Sequence, residues 1–133
     1  MKIIKENPPF YNNIIEAGMN PHSEAIYAYG DIIYNPANIF IPDYLLIHEE
    51  VHSKQQGNNP KDWWDRYLSD SYFRIEQESE AYAKQYDFMS SKIKDRNQRY
   101  KLLLNISNIL ASPIYGNIIS RYGAYDLIKS KIK

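Results

Sequence analysis

The chain contains no cysteine. That absence excludes a disulfide framework, a thiolate metal site and a cysteine nucleophile together, so any metal must be held by nitrogen and oxygen. An excess of either charge is also lacking, with 16 Lys and Arg against 16 Asp and Glu. With no basic field to gather phosphates, neither nucleic acid nor an anionic membrane is an expected partner. No apolar run reaches the roughly 18 residues of a membrane span. The N-terminal MKIIKENPPFYNN also lacks the apolar core of a signal peptide. These absences predict a cytoplasmic protein. Repeats, low-complexity tracts and dividing linkers are missing too, and 133 residues suit one domain, 1–133, with a real core.

What is present reads as a little β followed by mostly α. PPFYNNIIEAG predicts a short helix, entered at proline and left at Gly18. Residues 25–29 and 31–34 are β-prone runs that could pair as an antiparallel hairpin around Gly30, ended by Asn35-Pro36. Pro42 and Asp43 suit the first turn of a helix that runs to about Gln56 and stops at Gly57. NNPKDWWDRYL predicts a loop and a short helix. Ser69 or Asp70 can cap a long helix to about Lys94, and another follows over about 97–111. After Ser112-Pro113 the chain restarts, and Gly123 is expected to set off a last turn or two. The fold class is therefore α+β, a short antiparallel sheet or hairpin packed on a mainly helical body.

Only three histidines occur, and two of them fall in YLLIHEEVHSKQQG. Residues four apart on a helix lie one above the other, about 40° apart around the axis. His48 and His52 can therefore hold one zinc ion, with Gln55 on the same side as a supporting partner. Glu49 flanks that face as H-E-x-x-H requires, placed to take a proton from a zinc-activated water. Glu50 is expected to be solvated.

A catalytic zinc needs a third protein ligand. His22, in the turn-like MNPHSEA, is the weaker candidate. YFRIEQESEAYAKQYDFM offers Glu76, Glu78 and Glu80. On a helical wheel Glu78 shares its face with Ile75, Ala81, Tyr82, Tyr86, Met89 and Ile93. Glu80 shares its face with Glu76, Ala83, Lys84, Asp87, Ser91 and Lys94. A carboxylate in an apolar stripe needs a partner, which makes Glu78 the expected ligand and Glu80 the fallback. A plain Glu78–Arg74 ion pair is the bland alternative. Tyr82, one turn beyond Glu78, and Tyr72 are candidate donors to an oxyanion, with core packing the competing role. Trp63 and Trp64 read as core or lid. The helical run LLLNISNILASPIYGNII reads as cover for the site.

HEEVH followed by Glu78 in a second helix resembles the gluzincin arrangement. YGDIIYNP, HEEVHSKQQG, WW, YL, FRIEQE and SPIYG, in that order, are similar to small phage-encoded proteins described as metallopeptidases. The resemblance implies a minimal zincin fold, with a short sheet packed on the motif helix and an edge strand that can align a peptide. It carries His48, His52 and Glu78 over as ligands of one Zn²⁺ per chain and Glu49 as the base. It also adds an infected host or a virion as a setting. The chain is far smaller than thermolysin-like enzymes, which argues against broad digestive activity.

The expected function is zinc-dependent hydrolysis of a peptide bond in a peptide or protein substrate. If residues 31–34 form an exposed edge, that strand could hold the substrate by β-augmentation. A metal-binding or peptide-binding module that keeps the fold without catalysis is the alternative. Hydrolysis of another amide, such as deformylation, ranks lower, because the usual cysteine ligand is absent.

Overall fold

A computed structural model describes residues 1–132. Its elements run β1 (Lys2–Ile4), α1 (Tyr11–Glu16), β2 (Tyr27–Tyr29), β3 (Ile32–Tyr34), α2 (Asp43–Gln56), α3 (Pro60–Ser69), α4 (Ser71–Ser90), α5 (Arg96–Leu110) and α6 (Arg121–Lys131). A 3₁₀ turn at Pro113–Tyr115 joins α5 to α6. This is an α+β fold in which a small sheet rests on a helical body. No helix among the described residues is long and apolar enough to cross a membrane.

Gly30, with φ of 58°, makes the turn that a side chain would strain, and β2 and β3 pair antiparallel across it. Two points differ from the sequence expectation. Lys2–Ile4 forms a third strand, parallel to β3, so the sheet is mixed and its order is β1-β3-β2. The strand at 32–34 is therefore central, with Ile33 fully buried, and cannot serve as the peptide-pairing edge. The free edge that faces the histidine helix is β2. Parallel pairing joins residues 30 apart through a crossover, and three residues of β1 carry too little periodicity to announce it.

The helices begin at local caps. Asn59 Oδ1 accepts the Asp62 N–H, Asp70 Oδ1 accepts the Phe73 N–H, and Asp95 Oδ1 accepts the Asn97 N–H. α4 stops at Ser90, four residues short of the expected Lys94. There the Ser90 and Ser91 hydroxyls turn back onto the Asp87 and Phe88 carbonyls. Gly123 lies inside α6 and does not break it. Its N–H donates to the capping Ser120 Oγ, and a Cβ there would sit 3.0 Å from that oxygen.

Two hydrophobic clusters meet along α4. Ile75, Tyr82, Ala83, Leu103, Ile106, Leu110, Ala124 and Ile128 join α4, α5 and α6. Ile14, Met19, Tyr27, Trp63, Trp64 and Tyr67 join α1, β2 and α3. The long helix is buried on more sides than one apolar stripe supplies. Ser79 and Ala83, on the face read as solvated or beside it, are both buried. α2 packs against α4 between the two clusters, and its buried residues are His48, Glu49, His52 and Gln56.

Candidate metal centre

The four-residue spacing on α2 stacks His48 and His52 with their rings 4.8 Å apart, and both are buried. Glu78 comes across from α4, also buried. Its Oε1 lies 3.0 Å from His48 Nε2 and 3.2 Å from His52 Nε2, and the two nitrogens lie 3.2 Å apart. These three atoms converge from two helices and are near enough to hold one metal ion.

Hydrogen bonding on the far side of each ring sets what those atoms are. Gln55 Nε2 donates to the Gln77 carbonyl at 3.0 Å and to Glu80 Oε1 at 3.3 Å, so its Oε1 must face His52 Nδ1, at 2.8 Å. An amide oxygen only accepts, so Nδ1 of His52 carries the proton. Gln85 Oε1 stands in the same relation to His48 Nδ1, at 3.0 Å. With both Nδ1 atoms protonated, each neutral imidazole presents a bare Nε2 to the other and to a carboxylate oxygen. Three acceptors facing one another repel unless a cation or a proton lies among them.

Without metal, the proton sits on His52. Burial pulls its pKa down, but the Glu78 charge and hydrogen bond, with help from Glu49 and Gln55, carry it up to about 9. Burial pushes Glu78 up, and the two imidazoles nevertheless hold its carboxyl well below the usual carboxylate range. Both directions say that this pocket demands positive charge beside Glu78.

Tyr67 donates to the other oxygen of Glu78, Oε2, at 2.6 Å. Burial and Glu78 keep its phenol neutral, with a pKa well above the ordinary value. Arg74, a possible ion-pair partner by sequence, does not reach Glu78. Its guanidinium donates to the carbonyls of Tyr67 (2.9 Å), Leu68 (3.1 Å) and Tyr115 (3.2 Å). Carbonyls at the end of α3 have no intrahelical donor and draw the cation to themselves.

Glu49 faces the same cavity and is 7 % exposed. Its Oε2 has no hydrogen-bond partner among the described residues. Burial raises its pKa, and the neighbouring imidazoles partly offset that rise. An unpaired buried carboxylate oxygen costs stability unless a proton, a water or a ligand meets it. Tyr82 packs its ring edgewise on His48 at 4.5 Å, and its hydroxyl meets the Tyr115 hydroxyl at 2.6 Å.

Other candidates lie elsewhere. Tyr72 is 84 % exposed and takes no part. His22 is exposed, and its Nδ1 accepts the Glu24 N–H at 3.0 Å. Glu80, the fallback ligand, is exposed and touches only the Gln55 amide at the rim. Glu50 is exposed, as expected. Trp63 packs against His52 at 5.3 Å and lines the cavity with Trp64. Sequence reasoning missed Tyr67, Gln85 and Tyr115. SPIYG marked the turn that holds Tyr115, but nothing local aims that side chain at residues some 33 positions earlier.

No family model, curated protein or solved structure matches the chain. The likeness to gluzincins therefore rests on the motif and on this buried triad.

Proposed function

We propose that the protein is a gluzincin-like zinc peptidase that hydrolyses a peptide bond, with His48, His52 and Glu78 as the ligands of one zinc per chain. One observation carries the reading: three buried ligand atoms converge beside a buried carboxylate, Glu49, whose free oxygen faces the same cavity. Zinc–nitrogen and zinc–oxygen bonds of about 2.0–2.1 Å imply tetrahedral ligand separations of about 3.3–3.4 Å. The separations of 3.0–3.2 Å need only a slight opening to match. Imidazole nitrogen and carboxylate oxygen are also the donors left to a chain without cysteine.

Zinc bound there would supply a Lewis acid for the carbonyl and lower the acidity constant of water. The chain's own groups do the rest. Glu49 Oε2 takes the proton from the attacking water and returns it to the leaving amine. Tyr67 fixes Glu78 through Oε2 and leaves Oε1 for the metal. Of the two protons on the Tyr82–Tyr115 hydroxyl pair, one spans the pair and the other remains to donate to the developing oxyanion.

The test is zinc content per chain together with peptide hydrolysis, in wild type and in Glu49→Gln. The expected result is one zinc in both proteins and a loss of roughly 10²–10⁴-fold in hydrolysis in the variant. Full activity in Glu49→Gln removes the mechanism. Zinc without cleavage across a broad peptide library would assign a metal-binding module in its place.

A further inference from the structure

Along the β2 edge, the cavity beside the triad is blocked to an extended chain at one end and open at the other. The closed end is built on the β2 edge. The Ala28 carbonyl accepts from Gln56 Nε2 at 2.8 Å and from Trp64 Nε1 at 2.9 Å, so both lone pairs are taken. The Gly30 N–H donates to Gln56 Oε1 at 2.6 Å. Two residues back on the same edge, the Ile26 N–H and C=O have no hydrogen-bond partner among the described residues. An extended chain can thus pair with β2 at Ile26 but cannot run on past Ala28, where the Gln56 and Trp64 side chains already stand.

The spaces on either side agree with this. Alongside Ile26–Ala28 lies a chamber of about 90 Å³, walled by Ile14, Met19, Trp63 and Trp64, with the two imidazoles, Glu49 and Glu78 beside it. That volume is well above what a single water needs and below the 150 Å³ that admits a benzene ring, so it suits an aliphatic side chain. At the Ile26 end an open groove of about 490 Å³, lined by Tyr44, Leu45 and Ile109, leads away from His48 and Glu49. Neither Lys nor Arg lines the chamber, so beyond the two imidazoles and the metal they would hold, a terminal carboxylate would find no cation to pair with and would face Glu49 and Glu78. A terminal amine would face the Glu49 carboxylate, whose Oε2 has no hydrogen-bond partner among the described residues. Antiparallel pairing, the commoner kind, also puts a peptide's amino end at Ala28.

We infer that the site acts on the amino-terminal end of a peptide, with an aliphatic first side chain in the chamber and the following residues in the open groove. This rests on the zinc peptidase reading and narrows it from peptides in general to free amino ends.

The test is calorimetric binding of three small metal-chelating probes to the zinc-loaded protein: glycine hydroxamate, leucine hydroxamate and N-acetyl-leucine hydroxamate. Leucine hydroxamate should bind roughly tenfold or more tighter than the glycine compound, and acetylation should remove at least as much. Met19→Trp, which fills the chamber, should erase the leucine preference while zinc stays bound, and Ile14→Phe provides a second filling variant. Zinc uptake with equal binding of glycine and leucine probes overturns the chamber. Equal binding of the acetylated probe overturns the closed end. In both cases the metal reading survives. No zinc uptake removes that reading and this inference together.

Discussion

The two clusters that flank α4 are built from different materials. The α4–α5–α6 side is mostly aliphatic, and Leu110, Ala124 and Ile128 there are fully buried. The α1–β2–α3 side is mostly aromatic, with Phe10 4.2 Å from Trp64, Trp64 5.1 Å from Trp63 and Trp63 4.9 Å from Tyr67. Aliphatic packing offers only shape. Indole and phenol rings bury as much apolar area and keep one polar tip each. Here the tips are spent on Gln77, the Ala28 carbonyl and Glu78. A buried metal site needs such a wall, apolar enough to exclude water yet able to hold a ligand's second oxygen. The comparison teaches that the aliphatic side is chiefly core and reaches the site through Tyr82 and Tyr115, whereas the aromatic side walls the site and holds Glu78.

The sharpest break of that division is Leu110→Ala. A fully buried leucine lost from the aliphatic cluster should cost about 3 kcal/mol in chemical denaturation. Zinc affinity of the folded fraction should stay unchanged. An equal loss of zinc affinity would mean the two sides are one unit.

Glu78→Ala is the converse. Losing a ligand should weaken zinc binding beyond the roughly 10–100-fold typical of losing an outer partner, as read by competition with a chelator. Unaltered zinc affinity would remove Glu78 from the ligand set.

Next is the pH dependence of the metal-free protein. His52, raised from 6.5 to about 9, contributes stability fully below about 6.5, and that contribution fades as pH rises through about 9. Glu78, lowered from 4.5, contributes above about 4.5 and loses its share as pH falls. Glu49, raised from 4.5, also favours the acid side as its ionisation is resisted. The metal-free protein should therefore be most stable between about 4.5 and 6.5, and should lose on the order of 3 kcal/mol by pH 10. In His52→Gln the loss between pH 7 and 10 should disappear. Persistence of the full loss would assign it to another group.

The smallest effect is expected for Tyr67→Phe, which keeps the stacked ring and removes the hydroxyl from Glu78 Oε2. Zinc affinity should fall roughly tenfold, with stability changed by about 1 kcal/mol or less. A stability loss as large as that of Leu110→Ala would show that the aromatic side is also a load on the fold.

Much of the centre was legible because helical geometry is local. His48 and His52 share a face from their spacing alone, and Glu78 stood out as a charge among apolar neighbours. The caps Asp70 and Asp95 and the Gly57 stop are equally local. Gly123 misled because a glycine near a helix start serves the cap as readily as it breaks the helix. Its neighbour Ser120 decides between the two roles.

By itself, then, the sequence determined the element order, the co-facial imidazoles and the candidate third ligand, since each follows from the 3.6-residue turn and from the cost of burying a charge. Only the tertiary structure decided that β1 pairs with β3, that Gln85 and Gln55 orient the imidazoles, that Tyr67 rather than Arg74 holds Glu78, and that Tyr115 meets Tyr82. Arg74 shows the reason. One turn from Glu78 on the same helix, it is drawn away by carbonyls at the end of α3 and in the 113–115 turn, whose positions no local pattern specifies.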